Sequence, residues 1–268
     1  MRDAWRLAVG TFTALRVPQP VHVERTVLGR AMLLAPLTTV PASLAWFALG
    51  VAASAGWAPS GVVAVLALVV TALLSRALHL DGLADLADGL TSGHDPVRSL
   101  EVMRRGDTGP AGAAAVVLVL LLDAACLAVL LGTAAGTVLA VVALVSSRLA
   151  CAVCARAGIP AARHEGLGQG VAGTVTRAGQ LGLVVAVGAV SAAVGGTLAP
   201  FGGFASWTGA LGAVLVVLAS ATASVATRAH AVRRLGGVTG DVIGAALEIA
   251  LAAGLVTASV VVTALPHA

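Results

Sequence analysis

The 268-residue chain contains no lysine, no asparagine and no tyrosine, and only 10% of its residues are charged. Without lysine or tyrosine there can be no lysine Schiff base, no lysine phosphate clamp and no tyrosine acid, which leaves any chemistry to Asp, Glu, His, Arg, Ser, Thr or a metal. Cysteine is scarce too. Cys126 stands alone, and Cys151 and Cys154 form a CxxC in an apolar stretch with no second pair to complete a zinc site, so all three read as packed or lipid-facing small residues. The shortage of charge excludes a soluble domain of this length: at 59% hydrophobic residues with 32 glycines, the composition is that of a membrane protein whose helices pack closely. Spacings such as Gly182, Ala186, Val190 and Gly188, Ala192, Gly196 suit that packing. No secretory signal is expected, because Arg2, Arg6 and Arg16 interrupt the first twenty residues, and residues 1–20 read instead as an amphipathic helix at the membrane surface.

Apolar runs at 31–54, 59–78, 110–132, 135–157, 181–199, 206–228 and 243–265 mostly reach the length that spans a bilayer as helix. The expected fold is therefore all-α, a polytopic membrane bundle of about seven transmembrane helices. The run at 59–78 is the weakest, being cleanly apolar only from Gly61 to Leu74 before Arg76. Arginines precede the first run and fill alternate connections, while the remaining connections and the C-terminus have none. By the positive-inside rule the N-terminus lies in the cytoplasm and the C-terminus outside. No internal repeat and no linker divides the chain, which reads as one membrane-embedded domain over 1–268.

Against this background, Asp81, Asp85 and Asp88 place three of the twelve acids within eight positions. On a helix, steps of four and seven residues turn about 400° and 700°, so the three carboxylates share an arc of roughly 60°. A solvated surface helix would mix such acids with arginine, and this one does not. Hard oxygen ligands of this kind suit Mg²⁺, whereas softer metals would want more Cys or His. His79 precedes the cluster as a candidate base, phosphate donor or packed side chain. Met103-Arg104-Arg105-Gly106 through Gly112 sets two guanidinium groups beside a glycine-rich turn, fit for phosphate oxygens or for lipid headgroups. In Gly236–Gly244, Thr239 and Asp241 stand at a helix start, where Asp241 is either a cap or a ligand, with Glu248 seven residues on along the same face. Arg163 and Glu165 share the connection at 160–168, as a salt bridge or as substrate contacts. Arg148 lies inside an apolar run, where it needs a carboxylate such as Asp123 or a polar cavity. All these loops fall on the cytoplasmic side.

Taken together these residues resemble cobalamin synthase, the adenosylcobinamide-GDP ribazoletransferase family of integral membrane enzymes. The matching pieces are Thr11-Phe12-Thr13 with Pro18, His79-Leu80-Asp81-Gly82-Leu83-Ala84-Asp85 with Asp88-Gly89, Met103-Arg104 with Gly109 and Gly112, Ser147-Arg148, Pro160 with Arg163 through Gly168, and Thr239-Gly240-Asp241 with Gly244, Ala245 and Glu248. They run in family order over nearly the whole chain. One segment departs: the family commonly has an acid after Met-Lys or Met-Arg, where this chain has Arg105, with Asp107 two residues later. The resemblance implies that a ribose hydroxyl of α-ribazole or α-ribazole 5'-phosphate attacks the diphosphate of adenosylcobinamide-GDP and expels GMP at the cytoplasmic face of the inner membrane. It assigns Mg²⁺ as cofactor to Asp81, Asp85, Asp88 and Asp241, catalysis to those four with His79, and substrate contacts to Arg76, Arg104, Arg105, Arg163, Glu165 and Thr239. The partners are the two substrates and the lipid bilayer. No nucleic acid is implied, and a homo-oligomer stays open.

Two rivals are weaker. A CDP-alcohol phosphotransferase shares the Asp85-Leu86-Ala87-Asp88-Gly89 opening, but Leu90-Thr91-Ser92-Gly93 replaces the Ala-Arg that should follow. A cation transporter would favour acids at midmembrane, where only Asp123 and Glu248 lie.

Overall fold

The computed structural model describes residues 1–199 and 205–264. Among these, thirteen α-helices and isolated β-bridges occur, and no strand. Helix α1 (Arg2–Phe12) buries Ala4, Ala8, Val9 and Phe12 on one face, the pattern of an amphipathic helix. It is shorter than the 1–20 expected, and the chain is irregular from there through Pro18 and Pro20 to residue 24.

The first span joins α2 (Arg25–Leu34), a 3-10 stretch (Ala35–Thr39) and α3 (Val40–Ser54) into 30 residues. Pro36 and Pro41 explain the tightened middle, since neither supplies an N–H to an α-helical ladder. Five more segments are long and apolar enough to cross: α7 (Pro110–Leu130), α8 (Ala134–Ser147) continued by α9 (Leu149–Cys154), α11 (Arg177–Leu198), α12 (Ser206–Leu235) and α13 (Gly240–Ala264). Residue 265, the end of the seventh expected run, lies outside the described residues. Three short helices complete the set: α5 (Leu78–Thr91), α6 (Pro96–Val102) and α10 (Gly166–Val171).

The second expected span is where the chain differs. Helix α4 (Ser60–Ser75) has 16 residues, and α5 leaves it at 90° instead of prolonging it. The elbow consists of Arg76 and Ala77, both in the left-handed region at φ 57° and 55°. Arg76 Nη2 donates to the Gly10 carbonyl of α1 at 2.9 Å, and the Ala14 N–H to the Leu74 carbonyl at 2.6 Å, which ties the elbow to the amino-terminal helix. Past the elbow, α5 packs against α13 and α7. The count is thus six segments long and apolar enough to span, or seven if the bent pair of α4 and α5 forms one span.

Helix α13 is the hub, in contact with α5, α7, α8, α9, α10 and α12. Glycine sets the distances. A Cβ on Gly82 of α5 would lie 2.8 Å from the Asp241 carbonyl oxygen and 3.2 Å from the Gly244 Cα, so α5 and α13 cross backbone on backbone. Gly195 of α11 and Gly209 of α12 touch in the same way, and Gly196, expected to pack, lies against Ser206 and Ala210 of α12, whereas Gly182 and Gly188, expected to serve the same purpose, face open space. Around α13 lie two apolar clusters. One gathers Met32, Leu83, Leu86, Ile243 and Leu247 near the acidic helix. The other gathers Trp46, Leu127, Leu144 and Leu255, with the Trp46 indole N–H donating to the Ala67 carbonyl and to Thr71 Oγ1 at 2.9 Å each. Cys151 and Cys154 are packed in the first cluster and Cys126 in the second, all as free thiols.

Gly82→Ala should destabilise the protein by about 1–3 kcal/mol, the usual effect of overpacking a rigid contact. Gly61→Ala, on α4 with nothing within 4 Å of the added methyl, should be neutral or stabilising by up to about 1 kcal/mol. Thermal unfolding of both variants in detergent checks the pair, and an equal effect at the two positions would reject the close crossing.

Candidate active site

The crossing of α5 and α13 brings two separate acidic motifs together. Asp81 and Asp85 stand one turn apart on α5, and Asp241 lies in the first turn of α13 next to the Gly82 contact. Burial, then the charges of Asp241 and Asp81, push Asp85 up to about 6, opposed by Arg163. Asp81 is exposed and Asp85 half-buried, which leaves both accessible from outside the bundle.

Asp241 is held by two neighbours. Its Oδ2 is 3.3 Å from Arg163 Nη1 and accepts a hydrogen bond from Thr239 Oγ1 at 3.2 Å. Thr239 in turn accepts the Val242 N–H at 3.2 Å, so the threonine caps α13 and frees the aspartate beside it for other work. Arg163 also donates from Nη2 to the Leu100 carbonyl of α6 at 3.1 Å. Its loop is fastened to the turn before α13: Ala161 bridges Val238, the Ala162 N–H donates to the Val238 carbonyl, and Val238 N–H to the Pro160 carbonyl, each at 3.0 Å. Gly237 and Gly168 permit this, because a Cβ on either would fall within 2.6 Å of the opposing backbone.

Beyond Arg163 opens a cleft of about 540 Å³ lined by Val97, Leu100, Glu101, Arg104, Arg105, Arg163, His164 and Glu165. Arg104 Nη2 and Glu165 Oε1 form an exposed ion pair across it at 3.0 Å. Of the sequence-predicted substrate residues, the structure therefore gathers Arg104, Arg105, Arg163 and Glu165 at one cleft and Thr239 beside it. Arg76 does not line it, being bound to α1. Glu101, His164 and the α6 residues were not anticipated there, although Asp95-Pro96, with Asp95 Oδ1 accepting the Val97 N–H at 3.1 Å, is a readable helix start.

Asp88 stands apart from the other acids. Its Oδ2 accepts the Gly109 N–H at 2.7 Å and its Oδ1 the Gly112 N–H at 2.9 Å, so both oxygens clasp the N-terminus of α7. A carboxylate there satisfies N–H groups that a helix start leaves free and meets the positive end of its dipole. Gly109 and Gly112 leave the room, since a Cβ on either would collide with the Asp88 carboxylate. The expected four-carboxylate set is thus three facing acids and one cap. His79 is also turned from the cleft: it is 4% exposed, with Nδ1 3.7 Å from Glu248 Oε1 and without a hydrogen bond. Burial and the nearby Arg148 pull its pKa well below the ordinary histidine range, so it is neutral. Arg148 is not paired with Asp123. Its Nη1 donates to Ser147 Oγ at 2.8 Å and it borders a small polar cavity with Thr13, Thr38, Thr39, Thr71 and Ser75, while both Asp123 oxygens are buried without a partner.

For a divalent cation the donor set fits in kind: Asp81, Asp85 and Asp241 are hard oxygens crowded with negative charge and free of soft ligands. Among the described residues, no three His, Cys, Asp or Glu side chains are closed to metal-binding distance, and Asp241 is turned to Arg163.

Comparison with known proteins gives the same frame. The family model for cobalamin-5-phosphate synthase matches residues 4–259. The chain belongs to that family. A relative from Nocardioides sp., named adenosylcobinamide-GDP ribazoletransferase, is 45% identical over 255 residues, covering 95% of this chain and 97% of its own. Relatives of the same name from Frankia casuarinae and Syntrophobacter fumaroxidans are 40% and 38% identical, covering 93% and 76% of this chain and 92% and 76% of theirs. No solved structure matches. For this cobalamin-5-phosphate synthase family member, the motif His79 to Gly89 therefore divides into two tasks, with Asp81 and Asp85 presented outward and Asp88 turned to hold α7.

That division predicts opposite effects on stability. In detergent with chelator present, Asp88→Asn should lower stability by about 1–3 kcal/mol, because an amide nitrogen would face a backbone N–H it cannot accept. Asp85→Asn should leave the melting temperature unchanged or raise it, by removing a charge its neighbours repel. Thermal unfolding that showed the reverse order would reject the assignment.

Proposed function

We propose that this chain transfers the phosphocobinamide group of adenosylcobinamide-GDP to α-ribazole or α-ribazole 5'-phosphate, forming adenosylcobalamin or its 5'-phosphate and releasing GMP. The observation that carries this reading is the junction at Arg163, which lines the arginine-bearing cleft and pairs with Asp241 of the carboxylate set. Diphosphate recognition and the three facing acids thereby adjoin. The family and the printed names of its relatives support the substrates, and the same names do not favour a CDP-alcohol phosphotransferase or a cation transporter.

In the reaction, a ribose hydroxyl oxygen gives up its proton to a carboxylate of the acidic set and forms a bond to the cobinamide-side phosphorus while the bond from that phosphorus to the bridging oxygen breaks, and the oxygen leaves with GMP. Arg104 and Arg105 grip the phosphate oxygens through their planar forks. Arg163 holds Asp241 and bears on the same diphosphate. Asp241 Oδ1 carries neither the Arg163 nor the Thr239 bond, so it is available to the metal or to the attacking hydroxyl, and it is a better base than His79, which is buried against Glu248. Asp81, Asp85 and Asp241 would hold Mg²⁺, which when bound supplies neutralisation of the diphosphate and of the leaving group. Positioning contributes most of the remainder.

We further read residues 1–268 as one transferase domain in the inner membrane, with the N-terminus and the cleft cytoplasmic. Arginine placement supports this: every cleft loop belongs to the arginine-bearing side.

The test supplies adenosylcobinamide-GDP, α-ribazole 5'-phosphate and Mg²⁺ to purified protein and measures GMP release. Wild type should be active, and Asp85→Asn should lose at least about two orders of magnitude, the scale for removing a principal electrostatic stabiliser. Chelation should abolish activity and Mg²⁺ restore it. Absence of GMP release from well-folded wild type would refute the reading. Arg104→Gln should mainly raise KM for the nucleotide substrate, since it removes a contact to phosphate and none to Asp241.

A further inference from the structure

Two arginines away from the cleft have no carboxylate to answer them. Arg228, in the last third of α12, is 7% exposed. Its Nη1 donates to the Val153 carbonyl at 3.2 Å, near the end of α9, and its Nε is buried without an acceptor. Arg156 lies just past the same end of α9, three residues beyond the Val153 acceptor, and its own Nε is likewise buried and without an acceptor. Among the described residues neither arginine takes part in an ion pair.

Guanidinium does not shed its proton in a protein. Two such groups at one helix end in a poorly screened setting repel, and each buried N–H without an acceptor adds the cost of a lost hydrogen bond. Neither side chain is free to leave: Arg228 sits on a spanning helix packed on α9, and the backbone at Arg156 is bridged to Val175, with the Ala157 N–H to the Val175 carbonyl at 2.6 Å and the Val175 N–H to the Ala155 carbonyl at 3.0 Å. The partial negative charge of the Val153 carbonyl offsets only part of two full charges. An anion with several acceptor oxygens is the missing partner.

Depth indicates its kind. Arg228 lies seven residues from the end of α12 at Leu235, about 10 Å along the axis, which is the headgroup zone for a helix whose end emerges from the hydrocarbon. We propose that Arg156 and Arg228 form a second anion site, separate from the carboxylate cleft, that binds a phosphate group at the membrane surface. Neither residue lines the cleft, so the proposal does not depend on the transferase reading. The phosphate can come from an anionic lipid headgroup or from a free phosphate.

Delipidated wild type, Arg156→Gln and Arg156→Gln/Arg228→Gln proteins, titrated with dioleoylphosphatidylglycerol and separately with dioleoylphosphatidylcholine, are compared by native mass spectrometry. A parallel arm measures thermal stabilisation by inorganic phosphate. Retention of phosphatidylglycerol at least about ten-fold weaker in the double variant, with phosphatidylcholine unchanged, identifies a lipid headgroup site. Stabilisation of wild type but not of the variants by phosphate, with equal lipid retention, identifies a free phosphate site. If lipid retention and phosphate stabilisation are both the same in all three proteins, the proposal is overturned. Arg156 is only half-buried, so the single variant decides the matter if the double variant fails to fold.

Discussion

The site depends on how close α5 can come to α13. With Gly82 against the Asp241 carbonyl and the Gly244 Cα, the two backbones touch, and the side chains on either side of the contact are carried to the same rim. Asp81 and Asp85 come from one motif and Asp241 from another more than 150 positions away in sequence, yet burial and then the charges of Asp241 and Asp81 raise Asp85. A single methyl at the crossing would press on the Asp241 carbonyl and the Gly244 Cα and force the two helices to shift. The glycines of these motifs therefore serve chemistry by setting distance, while the acids between them supply it.

A second constraint operates through carboxylate placement. Asp88 is three residues from Asp85 but points its oxygens into the start of α7, fixing that long helix to α5. Arg163 works similarly at the other edge, where one guanidinium joins α6 through the Leu100 carbonyl and α13 through Asp241. The rim is thus assembled from α5, α6, α7, α13 and the loop of Arg163, and it stands on an apolar layer containing Leu83, Leu86, Ile243 and Leu247.

Much of this was legible in the sequence. Long apolar runs gave the spanning helices, because hydrocarbon demands continuous length, and the cluster of acids in so apolar a chain could only mark a polar site. Arg104, Arg105, Arg163 and Glu165 were recognised and do meet at one cleft. What escaped was whatever depended on direction in space. The turn at Arg76 and Ala77 carries no glycine or proline to announce it, so residues 59–78 read as one weak span that runs past the bend. Helical spacing put Asp88 on the face of Asp81 and Asp85, but spacing is blind to a neighbouring helix start that captures one of the three. The small residues at Gly182, Gly188 and Gly196 had the right period for packing, and α12 meets the stripe only at its Gly196 end, beside Gly195, since periodicity marks a stripe without saying where along it a partner crosses.

The elbow has one more implication. A chain with 32 glycines places Arg and Ala where two successive left-handed residues are required, at a cost of roughly 1–2 kcal/mol each. Such a bend does not hold itself. The guanidinium of Arg76 on the Gly10 carbonyl anchors it, which makes the amino-terminal helix a brace that sets the bearing of the acidic arm. A peripheral segment with no acid or base near the chemistry thereby governs where the reactive carboxylates come to rest.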